Sequence, residues 1–358
     1  MRPFNQRAPH WFRTHWLRVL GAAIACLAMA VFTAQPALAE GGLIRDSETE
    51  EMLRDFATPV WRAANLDPND VRVYIVNDPS LNAFVAGGEN IFVHTGLILA
   101  AENPNQLIGV VAHETGHIAG GHLARSSEAM RRSMGPALIS IGLGILAIAG
   151  GAGDAGAALI SGAPAFAQGN FVRHTQVQES SADQAAMSYL EETGQSGEGL
   201  IDFFNRNLRR YEFDMRRAPP YMITHPFTSD RVAALRERVE SAPHRNAVDS
   251  PESVHRLQMV QAKLYGFLMT PQQTLFRYPT SDQSQPARYA RALAAYRDAN
   301  IAEARSDMQA LIAEEPNNPY FHELHAQILF ENGHAAEAVP ESRRALDLRP
   351  NDSLLMVA

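Results

Sequence analysis

Residues 110–123 read VVAHETGHIAGGHL, and no other stretch constrains the chain as tightly. It carries the pattern His-Glu-x-x-His at His113, Glu114 and His117. On a helix with 3.6 residues per turn, His113 and His117 sit about 40° apart around the axis and one turn apart along it, so both imidazoles can grip one ion. Glu114 lies about 100° from His113 and about 60° from His117, within reach of a water at the ion's open coordination position without being a ligand. That is the geometry of a zinc hydrolase. The flanks QLIGVV (106–111) and IAGG (118–121) are apolar and small, as a buried helix needs, and Pro104 favours a helix start. The plain alternative is a core helix with two incidental histidines. A longer metal motif would place a third His at position 123, which is Leu. His122 lies about 140° round the helix from His117, a poor position for a ligand.

A catalytic zinc takes three protein ligands and keeps water in the fourth position, so a further donor must come from elsewhere. The only cysteine, Cys26, falls in the amino-terminal segment, which has a basic start (Arg2, Arg7, Arg13, Arg18), an apolar run over 19–32 and Ala37-Leu38-Ala39 before Glu40. This reads as a cleavable secretory signal peptide over 1–39, its apolar core short for a membrane span, with an uncleaved anchor as the alternative. Without its four arginines the 31 basic side chains fall to 27 against 39 acidic ones, a net charge of −12. Nucleic acid is thereby excluded as a partner, and thiolate ligands and disulfides are absent from residues 40–358. An exported, cysteine-free chain points to the periplasm.

Along the chain, 47–65 reads as a helix opened by a Ser47/Glu50 capping box and running at least to Pro59. Residues 71–76 read as a strand, and 82–86 with 90–94 as a hairpin around Gly87-Gly88, so a small sheet precedes the metal helix and offers an edge to an extended peptide. Residues 135–167 hold Asp154 as their only charge. They are too few for two membrane crossings. They read first as a buried helix over 137–149 followed by a flexible Gly-rich loop, and second as a lid or a peripheral membrane contact through 136–167. A helix over 173–190 carries Glu179 and Asp183 four residues apart on one face, so one can bind the metal while the other orients a ligand histidine. Read from spacing alone, two surface acids fit as well, and Glu191 and Glu192 are rivals at a frayed helix end. Residues 200–217 read as a polar helix with a solvated basic face, and 232–240 as a further helix.

Taken together, His113-Glu114-Thr115-Gly116-His117 with His122, Glu179-x-x-Ala182-Asp183, and Thr224-His225-Pro226 before Asp230-Arg231 resemble the exported, soluble relatives of the HtpX and CAAX-prenyl endopeptidases. The likeness runs over residues 45–350 in the same order. It implies that Glu179 is the third zinc ligand and that Asp183 is its neighbour in the next shell, sometimes described as a proton donor. It also implies that His225 and Arg231 face the site. A cationic His225 or Arg231 there would stabilise an oxyanion. A neutral His225 would instead fill the zinc's open position and hold the enzyme shut. Substrates implied by the resemblance are misassembled outer-membrane β-barrel proteins.

Near the carboxyl end the chain repeats with a period of 34: Ala302-Glu303-Ala304 matches Ala336-Glu337-Ala338, Ala292 matches Ala326, and Pro316 matches Pro350. This is the tetratricopeptide period, with small residues where paired helices touch. Two units fall short of the usual three, so 251–267 and the preceding domain are expected to supply neighbours. The repeats read as a docking surface for a protein partner, by resemblance the outer-membrane assembly machinery, rather than as a plain spacer. The last residues read as the start of another helix.

The expected architecture is an α+β, zincin-like, mostly helical metalloprotease domain with a small β-sheet (40–245), a helical linker (246–284) and an all-α tetratricopeptide segment (285–358). One zinc per chain on His113, His117 and Glu179, with Glu114 as base and Asp183, His225 and Arg231 around it, would hydrolyse internal peptide bonds of unfolded proteins. The rival is a chaperone or assembly adaptor with a structural zinc.

Overall fold

The computed structural model describes residues 42–150, 152–213, 225–226 and 228–356. The signal peptide read in 1–39, Thr224 of the Thr-His-Pro motif and the last two residues lie outside the described residues. Helix α1 (Ser47–Ala63) turns Met52, Leu53, Val60 and Trp61 inward. Its cap is Asp46, whose carboxylate accepts from the Thr49 amide at 2.8 Å, rather than Ser47, whose hydroxyl reaches Asp352. Pro59 sits inside the helix without ending it, because the buried residues on both sides hold the last turns in place.

Four strands, one before α1 and three after it, form a sheet in the order β1-β2-β4-β3: β1 (Leu43–Ile44), β2 (Arg72–Val76), β3 (Ala83–Ala86) and β4 (Asn90–His94). β2 and β4 pair in parallel, while β1 and β3 lie antiparallel on the two edges. The β3–β4 hairpin turns at Gly87 (φ +63°) and Gly88 (φ +103°), backbone conformations that glycine adopts without strain. A short α2 (Thr95–Ala100) then leads into α3 (Pro104–Ala119), the central helix, which packs against α1, β3 and two later helices described below. Asn103 caps it by accepting from the Gln106 amide, and Pro104 fills its first turn.

Beyond α3 the chain forms a long helical hairpin, α4 (His122–Ala149) and α5 (Gly153–Glu192). This corrects two expectations. The segment 137–149 is helical but not buried: Leu138, Ile139, Leu143, Ile145 and Leu146 are all exposed. The Gly-rich part is no loop, since α5 starts at Gly153 and runs unbroken through Glu179 and Asp183. Packing of the two helices along their length offsets a glycine cost of about 1 kcal/mol per residue that would break an isolated helix.

Helix α6 (Glu198–Phe213) is not a solvated polar helix at its start, where Leu200, Ile201, Phe203 and Phe204 are buried under α3. Helices α7 (Ser229–Ser241) and α8 (Pro251–Leu268) complete the first core. After α9 (Pro271–Arg277) come α10 (Gln285–Arg297) with α11 (Ile301–Glu314), and α12 (Pro319–Glu331) with α13 (Ala335–Leu348). Corresponding starts, 285 and 319, 301 and 335, are each 34 apart, and Ala292, Ala304, Ala326 and Ala338 are buried where the helices meet. Helix α8 serves both cores, giving Leu257, Val260 and Leu264 to one and Met259 to the other. Its Lys263, buried beside Asp46 (2.5 Å), Glu48 (3.3 Å) and Glu323 (3.8 Å), ties α1 to α12. Burial opposes the Lys263 charge, but those carboxylates outweigh it and hold its pKa well above the usual value.

Candidate metal centre

Helix α3 aims His113 and His117 at one point, where their Nε2 atoms stand 3.1 Å apart. Helix α5 brings Glu179 beside them, with Oε2 3.4 Å from His113 Nε2 and Oε1 3.3 Å from His117 Nε2. The approach depends on Gly116. A Cβ there would stand 2.8 Å from the Ala182 carbonyl oxygen, so the glycine inside the His-Glu-x-x-His pattern lets α5 close on α3. His225 completes the group, its Nδ1 3.1 Å from Glu179 Oε2 and 3.3 Å from His113 Nε2. One donor atom from each of these four residues lies within 4.8 Å of all the others.

A second layer holds the first. Asp183, one turn beyond Glu179, places Oδ1 2.9 Å from His113 Nδ1 and so leaves Nε2 as the nitrogen that faces the cluster. Arg231 donates to both Asp183 oxygens, Nε at 2.7 Å and Nη2 at 2.9 Å, and Nη1 reaches Glu179 Oε2 at 3.0 Å and the Pro226 carbonyl at 2.8 Å. Thr228 caps the helix that presents Arg231, and Phe204 lies under the guanidinium at 5.6 Å. The structure thus brings together His113, Glu114, His117, Glu179, Asp183, His225 and Arg231.

Electrostatics suit a cation. Burial opposes charge on His113, but donation to Asp183 and Glu179 outweighs it and raises its pKa to about 10. Burial likewise pushes against ionisation of Glu179, yet bonds from His113 and His225 hold it far below the usual carboxylate range. His117 is kept neutral by burial and by the neighbouring His113, the state in which imidazole binds a metal. Burial raises Glu114, which is fully buried, and neither of its oxygens has a hydrogen-bond partner. His225 Nε2 stands 3.4 Å from its Oε1. Imidazole and carboxylate donors without thiolate fit zinc, and a carboxylate left unsatisfied beside them fits a base that works on a metal-activated water.

His122 stands outside the cluster of candidate ligands but touches one of them, His117. The chain breaks after Gly120 and turns through Gly121 at φ +61°, so α4 starts afresh and His122 swings back over α3. Its Nδ1 lies 3.0 Å from His117 Nδ1, and were His117 Nε2 to bind a metal, His117 Nδ1–H would donate and His122 accept. A Cβ on Gly120 would stand 2.4 Å from His122 Nε2, so both glycines of IAGGH serve this contact. Helical angle could not have shown it, because the helix does not continue. His122→Phe is expected to weaken zinc binding by about tenfold to a hundredfold in chelator competition, with His122→Gln restoring part of the loss. Equal affinity in all three proteins would reduce His122 to packing.

The family model for peptidase family M48 matches residues 44–239, and the chain belongs to that family of zinc metallopeptidases. Among curated proteins, it is 28% identical over 323 residues to the beta-barrel assembly-enhancing protease of Escherichia coli (strain K12), covering 87% of this chain and 64% of that protein. The protein of that name from Yersinia pestis is 26% identical over 91% of this chain and 67% of its own length, and the metalloprotease LoiP of Escherichia coli (strain K12) is 27% identical over 55% and 73%.

Proposed function

We propose that this chain is a zinc-dependent endopeptidase acting on unfolded protein segments, with His113, His117 and Glu179 as the metal ligands. The observation that carries the reading is Glu114: a carboxylate fully buried, without a hydrogen-bond partner, beside a cluster of metal-ligating donors. Zinc bound there would supply Lewis acidity to a scissile carbonyl and acidify a water. Glu114, its pKa raised by burial, takes a proton from the attacking water and passes it to the leaving amide nitrogen as the C–N bond breaks and the C–O bond forms. Arg231 acts by position, since its Nε, Nη1 and Nη2 donate to Asp183, Glu179 and Pro226 rather than toward the cleft. Asp183 likewise orients His113.

The cleft supports a peptide substrate. A cavity of about 550 Å³ runs from His117, Glu179 and His225 to Phe84 and Val85 of β3, an edge strand of the sheet. An extended segment added to β3 would pass the metal with its backbone bonded and its side chains alternating, which suits unfolded chains of varied sequence. From the names of its relatives and its export-like amino terminus, we place the protein in the periplasm, degrading misassembled outer-membrane β-barrel proteins and aiding their assembly. The two helix pairs at an offset of 34 read as tetratricopeptide units, and the groove beside Phe330, Val339 and Leu346 as their docking surface for the assembly machinery. An adaptor with structural zinc has no use for a buried, unsatisfied Glu114, and this favours the enzyme.

Glu179→Gln is expected to lower zinc content well below one per chain after dialysis, with cleavage of an unfolded barrel protein falling in parallel and helix content unchanged. One zinc retained at wild-type affinity would exclude Glu179 as a ligand. A zinc-loaded wild type that leaves the barrel protein intact, even with His225 replaced, would leave the adaptor standing.

A further inference from the structure

Among the described residues, exposed large apolar side chains gather toward the tip of the α4–α5 hairpin. Leu138 (60% exposed), Ile139 (64%), Leu143 (53%) and Leu146 (68%) stand out on α4 with Ile145 and Ile148, and Leu159 follows on α5. Placed at 100° per residue, these α4 positions spread over roughly 220° of the helix, and the rest, around the buried Gly144, is the side toward α5. A protein partner would cover a strip; a surface apolar on most sides asks for a medium that is apolar on most sides. The surrounding sequence agrees. Between Arg132 and Arg173 the only charged residue is Asp154, whereas Arg125, Glu128, Arg131 and Arg132, a net charge of +2, precede the apolar run and Arg173 follows it. These cations flank the apolar run in sequence on a chain whose net charge is −8, a match to anionic headgroups above acyl chains.

We propose that this hairpin tip is an anchor that inserts into one leaflet of an anionic lipid bilayer. Length favours one leaflet. From Leu138 to Ala149 the helix rises about 17 Å, close to half of a hydrocarbon core of about 30 Å. Among the described residues, no helix is long and apolar enough to cross a membrane. The anchor also sets the height of the metal centre. On α5, Glu179 lies 26 residues beyond the hairpin end at Gly153, about 39 Å along the axis, so a tip inserted by about 17 Å holds the cleft roughly 20 Å above the hydrocarbon. At that height it meets chains still at the bilayer surface, unlike a freely diffusing protease.

The test is flotation of the protein without its signal peptide, residues 40–358, with vesicles of phosphatidylcholine containing about 30% phosphatidylglycerol, at physiological ionic strength. Wild type is expected to float with the vesicles, and Ile139→Glu/Leu146→Glu to stay behind by about tenfold or more while keeping its helix content and peptide hydrolysis. In a separate variant, Leu143→Trp, the introduced indole is expected to be quenched by brominated acyl chains. Equal flotation of wild type and double variant, or indole fluorescence in the Leu143→Trp protein that the bromines leave untouched, would overturn the anchor. So would a wild type that ignores vesicles but runs as a dimer that the glutamates dissociate, which would make the face a contact between two copies.

Discussion

Glu114→Gln is expected to lower peptide hydrolysis by about a thousandfold or more, while one zinc per chain and the melting temperature stay near those of wild type. The amide is nearly isosteric, so α3 keeps its packing and the donors of His113, His117 and Glu179 keep their places. What disappears is the proton acceptor. Loss of a general base alone costs about a hundred to ten thousandfold, and here the same group must also return the proton to the leaving nitrogen. Stability is expected to hold or rise slightly, because removing a buried carboxylate without a hydrogen-bond partner removes a desolvation cost. Zinc content by metal analysis and hydrolysis of an unfolded protein separate the alternatives. Full activity with the amide would deny Glu114 the role of base; loss of zinc together with activity would make it part of the metal shell.

Much of this centre is written in local sequence, because helical period places residues four apart on one face. His113 with His117, and Glu179 with Asp183, follow from that rule alone. The meeting of α3 with α5 does not, since it depends on a close approach that Gly116 and Ala182 permit and no period reveals. His225 and Arg231 arrive from a loop and the start of α7, and resemblance rather than spacing pointed to them. The fold was least legible over 136–167. Glycine and alanine there suggested a loop, and apolar character suggested burial. Helix-on-helix packing overrode the first inference, and the hairpin, with neighbours on one side only, overrode the second.

His225→Ala is expected to raise basal hydrolysis of a short peptide. Its Nδ1 lies 3.1 to 3.3 Å from Glu179 and His113 as a fourth donor, and its Nε2 faces Glu114 at 3.4 Å. The ring thereby fills the space between the cluster and the base, where a substrate carbonyl and a water must come together. A closed form outweighing the open one ten to one would hide about nine tenths of the activity, and truncation would release about tenfold. The opposite role makes an opposite forecast: as an oxyanion stabiliser, His225 would supply transition-state binding, and its loss would cut turnover by about a hundredfold or more. Position favours the plug. A residue within hydrogen-bond distance of the Glu179 carboxylate, on the side of the donor cluster, is placed to compete for a metal held there rather than to donate across a bound carbonyl. The loop setting suits a group that must leave when substrate arrives, since loops carry the motions that gate a site. Initial rates of His225→Ala and wild type, at equal zinc content, decide it, and a large fall in rate would sink the plug.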